Sequence, residues 1–217
     1  MDTTWSAVDD VLSRALGDDD EALRAASAAS AAAGLPPISV TPLQGKLLHL
    51  LARAIGARRI LEFGTLGGYS TTWLARAVPP DGRVTTLELD ASYAEVARAN
   101  LARAGVGDRV DVVVGPARES MRSLGPEPFD LTFIDADKPS TLDYFDWAVA
   151  HSRPGALVVV DNVVRGGAIA DAASGDASVI GIRRFLDAAG RDPRVDVTAL
   201  QTVGGKGHDG FALALVK

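Results

Sequence analysis

Arg58-Arg-Ile-Leu-Glu-Phe-Gly-Thr-Leu-Gly-Gly-Tyr-Ser70 decides the fold class, because it reads as a strand, a glycine turn and the start of a helix. Residues 60–63 form a short apolar run of strand length. Gly64, Gly67 and Gly68 let the backbone turn tightly and come close to a ligand, with helix-terminal N–H groups facing it. Downstream the pattern recurs. Apolar runs at 84–87, 110–114, 131–134 and 157–160 read as buried strands, and 69–77, 92–104, 117–124 and 141–151 as helices between them. Strand and helix in alternation imply a parallel sheet with right-handed crossovers.

The two ends of the chain depart from that alternation. After a helix around 179–189, residues 195–203 and 210–216 are β-type runs joined by Gly204-Gly-Lys-Gly-His-Asp209. A loop that short makes a hairpin but no helical crossover, so the last two strands should be antiparallel. Before Arg59 the chain reads as helices over 4–16, 20–33 and 42–55, the last with Thr41 as N-cap and Pro42 at the first helical position. The expectation is an α/β fold: a Rossmann-like, doubly wound, mostly parallel seven-stranded sheet with an antiparallel C-terminal strand and extra N-terminal helices.

The 217 residues suit a single domain, and an apolar content of 47% is ample for its core. A net charge of −6 argues against the basic face that a nucleic-acid or anionic-membrane partner wants. Without cysteine there is no disulfide, thiolate nucleophile or Cys-ligated metal. The acidic start Met1-Asp-Thr-Thr-Trp-Ser-Ala-Val-Asp-Asp10 lacks the basic and apolar regions of a secretory signal. The Ala-rich stretch 25–33, after Asp18-Asp-Asp-Glu21, reads as a helix rather than a membrane span. These features lead us to expect a cytoplasmic protein with neither membrane nor nucleic acid as partner.

Three oxygen-bearing side chains stand where buried strands should stop: Asp135 after 129–134, and Asp161 with Asn162 after 156–160. Ligands of open α/β sheets bind beyond the carboxyl ends of the strands. Two carboxylates and an amide there form an oxygen-only cluster suited to Mg²⁺ or Ca²⁺ rather than zinc. Asp and Asn after strands also serve as turn formers and helix caps. The second strand ends in Thr85-Thr-Leu-Glu-Leu-Asp90, and a carboxylate at that place can accept both ribose hydroxyls of a nucleoside. Glu88 is the better candidate, since Asp90 also makes a good N-cap. The G-x-x-G-G spacing differs from the G-x-G-x-x-G of dinucleotide binders, which disfavours a pyrophosphate ligand. Lys138 is the candidate base, because a cation nearby in a partly closed site favours a neutral amine. A solvated lysine, or one paired with Asp137, is the plain alternative. His49, His151 and His208 show no ligand spacing, although His208 could approach the rim of the site from its loop.

Glu62-Phe-Gly-Thr-Leu-Gly-Gly-Tyr-Ser70, Gly115-Pro-Ala117, Phe133-Ile-Asp-Ala-Asp-Lys138 and Val160-Asp-Asn-Val-Val-Arg165, in this order, resemble the cation-dependent class I O-methyltransferases. This is the caffeoyl-CoA and catechol group, including its small bacterial members. The likeness runs from about Ser39 to the C-terminus and is dense from Ile60 to Arg165. It implies S-adenosylmethionine as cofactor, with Glu62, Gly64, Thr65 and Ser70 at the methionine end, Glu88 on the ribose, Ala117 near the adenine, Val40 as a further contact and Asp135 reaching towards the methionine amine. It implies Asp135, Asp161 and Asn162 as ligands of a divalent cation, magnesium first with calcium or manganese as alternatives, and Lys138 as the catalytic base. The acceptor would be a catechol-like vicinal dihydroxy aromatic small molecule, and the assembly a homodimer.

Within the single domain 1–217, residues 1–56 would then serve the substrate side and the dimer interface, and 57–217 the cofactor-binding core. The segment 165–178 would also face the substrate. Members of the group usually carry a tyrosine where this chain has Thr141, so an aromatic contribution would have to come from Tyr144 or Trp147. The competing readings are a nucleotide-dependent oxidoreductase on the same kind of sheet and a non-catalytic cofactor-binding protein. The glycine spacing and the Asp161-Asn162 pair speak against the first, and the oxygen triad with Lys138 against the second.

Overall fold

Seven strands, β1 (Arg59–Phe63), β2 (Arg83–Glu88), β3 (Val110–Val114), β4 (Phe129–Ile134), β5 (Ser152–Asp161), β6 (Val195–Gly204) and β7 (Gly207–Val216), form one sheet in the order β3-β2-β1-β4-β5-β7-β6. The structure is a computed structural model describing residues 3–17 and 19–217. Met1, Asp2 and Asp18, which belong to the acidic stretches read above, lie outside them. The pairs β1–β2, β2–β3 and β4–β5 are parallel, and β7 runs antiparallel to both β5 and β6. The mostly parallel sheet with an antiparallel C-terminal strand is therefore the observed architecture. The chain divides into two compact units, and the division falls within helix α1 (Thr3–Leu16), at Val11.

The unit from Leu12 to Gly125 carries β1, β2 and β3 with α2 (Glu21–Ala32), α3 (Pro42–Ala54), α4 (Tyr69–Ala77), α5 (Ala91–Arg103) and the short α6 (Ala117–Ser120). Side-chain caps start three of these helices: Asp20 accepts from Leu23 N at 3.0 Å, Thr41 from Gln44 N at 3.2 Å and Asp90 from Ser92 N at 2.8 Å. Ile60, Leu61 and Phe63 of β1 are fully buried, as expected of a parallel strand covered on both faces. The glycine turn has a packing reason beside any binding one. A Cβ on Gly67 would fall 2.0 Å from Ser30 Oγ of α2, and one on Gly68 would meet Ala97 of α5 at 3.4 Å. Gly64 and Gly68 also take φ of +93° and +79°, where a side chain is strained.

The unit from Pro126 to Lys217, with the start of α1, carries β4 to β7, α7 (Thr141–Ala150) and α8 (Ala177–Ala189). Phe145 of α7 and Phe185 of α8 meet edge to face at 5.0 Å in its core. Asp176 caps α8 by accepting from Ser178 N at 2.7 Å and Val179 N at 3.2 Å. Strand β5 begins at Ser152, five residues before the apolar run read from the sequence, because Ser152 to Gly155 are the less buried half of the strand and lack an apolar signature. The six-residue loop read between the last strands contracts to Gly205-Lys206, since Gly204 and Gly207 already pair across the hairpin. Gly207, at φ +96°, permits so tight a turn. Among the described residues no helix is long and apolar enough to cross a membrane.

Candidate active site

The carboxylate pair is built by strand register. Ile134 of β4 pairs with Val160 of β5, so the residues that follow them, Asp135 and Asp161, leave the ends of neighbouring strands, whose backbones run about 4.8 Å apart. Asp161 is 5% exposed and accepts the amide of Asn162 at 2.8 Å. Asn162 turns the chain with φ of +59°, a conformation asparagine tolerates better than most residues.

Lys138 is brought to the same place by a 3₁₀ turn, Lys138–Ser140, that follows β4. Its Nζ donates to Asp135 Oδ1 at 2.8 Å, with only 10% of the lysine side chain exposed. The alternative pairing with Asp137 is not made. Asp137 instead accepts Ser140 N at 3.2 Å and the Tyr144 hydroxyl at 2.5 Å. Behind the turn stands α8, which comes so near that a Cβ on Gly181 would lie 2.3 Å from Lys138 O. Of the two aromatic candidates, Tyr144 therefore belongs to the Asp137 end of this turn. Trp147 stacks on His151 at 3.8 Å and packs beside Phe129, at the opposite end of β4.

One cation here was not singled out from the sequence. Lys206 occupies the tip of the β6–β7 hairpin. Burial pushes its pKa down, and the charges of Asp135 and Asp161 oppose that shift. A Gly-Gly-Lys-Gly turn is the only signal the sequence offered. His208, which the sequence did suggest, bonds Gln201 Oε1 at 2.8 Å across the hairpin.

Among the described residues no three His, Cys, Asp or Glu side chains are grouped for a metal. A cation at this strand end would rest on Asp135 and Asp161, with the Asn162 amide oxygen as third protein ligand. Such a donor set is hard, oxygen-only and sparse, which fits a magnesium-class ion that keeps positions for other oxygens.

The residues read as cofactor contacts lie in the other unit, apart from Asp135. Glu62 is fully buried and accepts three hydroxyls: Ser70 Oγ at 2.6 Å, Thr71 Oγ1 at 2.5 Å and Thr86 Oγ1 at 2.7 Å. Thr65 joins that cluster through a 2.6 Å contact between its hydroxyl and that of Thr86. Glu88 Oε2 accepts the amides of Thr65 at 3.2 Å and Leu66 at 2.7 Å, and its Oε1 accepts the amide of Asp90 at 2.9 Å. A carboxylate has about four acceptor positions, so Glu88 keeps about one for a ligand. Asp90 is the cap and Glu88 the inward carboxylate, as the sequence suggested. Gly64 donates to Leu87 O at 2.9 Å, Val40 is buried just before the Thr41 cap, and Ala117 is half-buried at the start of α6.

The family described as O-methyltransferase matches residues 14–216 of this chain. A catechol O-methyltransferase of Mycobacterium tuberculosis is 59% identical over 97% of this chain and 95% of its own length. An O-methyltransferase of Bacillus cereus, solved in complex with S-adenosylhomocysteine, superposes with a TM-score of 0.97 at 50% identity over 100% of both chains. The O-methyltransferase TomG of Streptomyces achromogenes, involved in tomaymycin synthesis and solved with S-adenosylmethionine, gives a TM-score of 0.96 at 52% identity over 100% of this chain and 99% of its own. With its sheet and these relatives in agreement, the chain belongs to the O-methyltransferase family, enzymes that transfer a methyl group from S-adenosylmethionine to a hydroxyl oxygen.

Proposed function

We propose that this enzyme methylates one hydroxyl of a catechol-like vicinal diol on an aromatic small molecule, assisted by a divalent cation of the magnesium class. The observation that carries the reading is the side-by-side placement of Asp135 and Asp161 by strand register, with Lys138 hydrogen-bonded to the first. The catechol O-methyltransferase at 59% identity supports the acceptor class. A neutral phenol, with a pKa of about 10, is a poor nucleophile near neutral pH. When bound, the cation supplies Lewis acidity and a fixed position for the diol.

The chain's own residues do the rest. Asp135, Asp161 and Asn162 would hold the cation, and the hydrogen bond from Lys138 Nζ to Asp135 would keep the amine at the reacting oxygen. Lys138 Nζ, as the free amine, accepts the hydroxyl proton. The oxygen then forms a bond to the methyl carbon as the carbon–sulfur bond breaks. The electron pair stays on sulfur, which leaves as a neutral thioether. Glu62 acts by setting Ser70 for the methionine end, beside Gly64, Thr65 and Val40. Glu88 takes one ribose hydroxyl with its remaining acceptor position, and Ala117 lies by the adenine.

Labelled S-adenosylmethionine with a panel of catechols, with and without EDTA, tests this. Transfer that stops on chelation and returns with Mg²⁺ is the expected result. Transfer indifferent to chelator removes the metal, and cofactor binding without transfer to any diol removes the acceptor class.

The same reading includes a homodimer in the cytoplasm. Val8, Val11, Leu12 and Leu16 form an exposed apolar stripe at helical spacing on α1, and Leu200 and Val203 are exposed on edge strand β6. Sedimentation should give the mass of two chains, and a monomer at micromolar concentration would refute the dimer.

A further inference from the structure

Asn100 has no part in the mechanism above, yet it is 1% exposed and both ends of its amide are engaged. From α5 its Nδ2 donates to Gly67 O at 2.9 Å and, more weakly, to Ala26 O of α2 at 3.4 Å. Its Oδ1 accepts Arg103 Nη1, about one helical turn further on, at 2.7 Å. A guanidinium only donates and a backbone carbonyl only accepts, so these partners fix which way round the amide sits. The donor end faces the glycine turn.

That turn needs holding. Leu66 takes φ of +50°, a left-handed conformation that is strained for a leucine and persists only where its surroundings impose it. Two side chains hold it from opposite ends. Glu88 Oε2 accepts the amides of Thr65 at 3.2 Å and Leu66 at 2.7 Å. Asn100 binds the carbonyl of Gly67, the next residue. Behind the turn, Ser30 Oγ donates to Ala26 O at 2.8 Å, and a Cβ on Gly67 would fall 2.0 Å from that hydroxyl oxygen. Without the Asn100 donor, a buried carbonyl loses its partner and Leu66–Gly67 is free to relax towards ordinary φ. Glu88, bonded to the Leu66 amide, would shift with it.

We propose that Asn100 is a positioning residue of the cofactor site, holding the strained Leu66–Gly67 turn so that Glu88 and the turn's backbone are preset for S-adenosylmethionine. The inference rests on the reading above that Glu88 takes a ribose hydroxyl. Asn100 acts through the turn and not on the cofactor. A turn already in its binding conformation costs nothing to order, whereas one that spends only part of its time there lowers the affinity by that fraction.

The test is the dissociation constant of S-adenosylhomocysteine, from calorimetry without metal or acceptor, with urea unfolding measured beside it. The proteins are the wild type, Asn100→Ala, Leu66→Gly, the double variant and Glu88→Ala. Asn100→Ala should bind about tenfold more weakly, the effect of one buried hydrogen bond passed on to the turn. Glycine takes positive φ without strain, so in the Leu66→Gly background the same change should cost about threefold or less. A general loosening of the fold would cost the same in both backgrounds. Asn100→Asp keeps the shape and the Arg103 partner but offers Gly67 O no donor; it should repeat both results, and it stands in if Asn100→Ala does not fold. Unchanged affinity in the Asn100 variants, while Glu88→Ala weakens binding, overturns the proposal alone, as do equal losses in the two backgrounds. If Glu88→Ala also binds like the wild type, the placing of the cofactor at this turn fails with it.

Discussion

Glu62 and the Asp135–Asp161 pair are both carboxylates at the carboxyl ends of buried strands, but the fold answers them differently. Glu62 is sealed from solvent, and its oxygens accept three neutral hydroxyls, from Ser70, Thr71 and Thr86. Asp135 and Asp161 are answered by cations: Lys138 at 2.8 Å from the first, and Lys206 within the field of both. Hydroxyls supplied by neighbouring elements fix a carboxylate as part of the frame. A carboxylate met by one ammonium keeps acceptor positions for a further ligand. Similar residues at similar strand ends are thus met by hydroxyls in one unit and by a lysine in the other, and the proposed function makes working groups of the second pair.

The largest expected effect tests the working side. Asp161→Ala should lower kcat by on the order of a thousandfold, with S-adenosylmethionine affinity nearly unchanged, because Asp161 is assigned to the cation and not to the cofactor. Equal loss of turnover and cofactor binding would break that division. The same variant should unfold in urea close to the wild-type midpoint.

Glu62→Ala should do the reverse in stability. It strands the buried hydroxyls of Ser70 and Thr71 and takes one of two partners from that of Thr86, at a cost of about 3 kcal/mol, which lowers Tm by roughly 6–12 °C. If Asp161→Ala is destabilised as much as Glu62→Ala, the contrast between frame and working group is wrong.

A smaller effect sharpens the comparison from behind the site. Gly181→Ala sets a methyl group 2.3 Å from Lys138 O, so α8 and the lysine turn must part. We expect about 1–3 kcal/mol of destabilisation. The fall in kcat should exceed any change in cofactor affinity, as read by steady-state kinetics beside calorimetry.

Much of this was legible in the sequence because it depends on local chemistry. Apolar runs of strand length located the five parallel strands to within a few residues, except at the N-terminal half of β5. Thr41 and Asp90 were readable as caps because an N-cap needs only its own helix. The short connection after Val203 was enough to require an antiparallel ending. Asp135, Lys138, Asp161 and Asn162 stood out because strand ends are where such sheets bind ligands.

Other features depend on partners far along the chain. Gly67 reads as a binding glycine, but it also has to clear Ser30, on a helix some 37 positions earlier. Gly181 looks unremarkable until α8 is laid against the Lys138 turn. Glu62 looked like a ligand contact, and only packing brought Thr71 and Thr86 to its second oxygen. The choice of Asp135 over Asp137 for Lys138 was open until Tyr144 and Ser140 occupied Asp137.

By itself, then, the sequence determined which segments are strands, which turns are glycine-bound and which oxygens wait at the strand ends. Those properties follow from each segment's own side chains and backbone preferences. Only the tertiary structure decided that β4 and β5 end side by side before Asp135 and at Asp161, that Thr71 and Thr86 join Ser70 on Glu62, and that the last hairpin turns in two residues at Gly205-Lys206. Register, helix packing and hairpin reach join residues distant in the chain, and no local pattern carries that information.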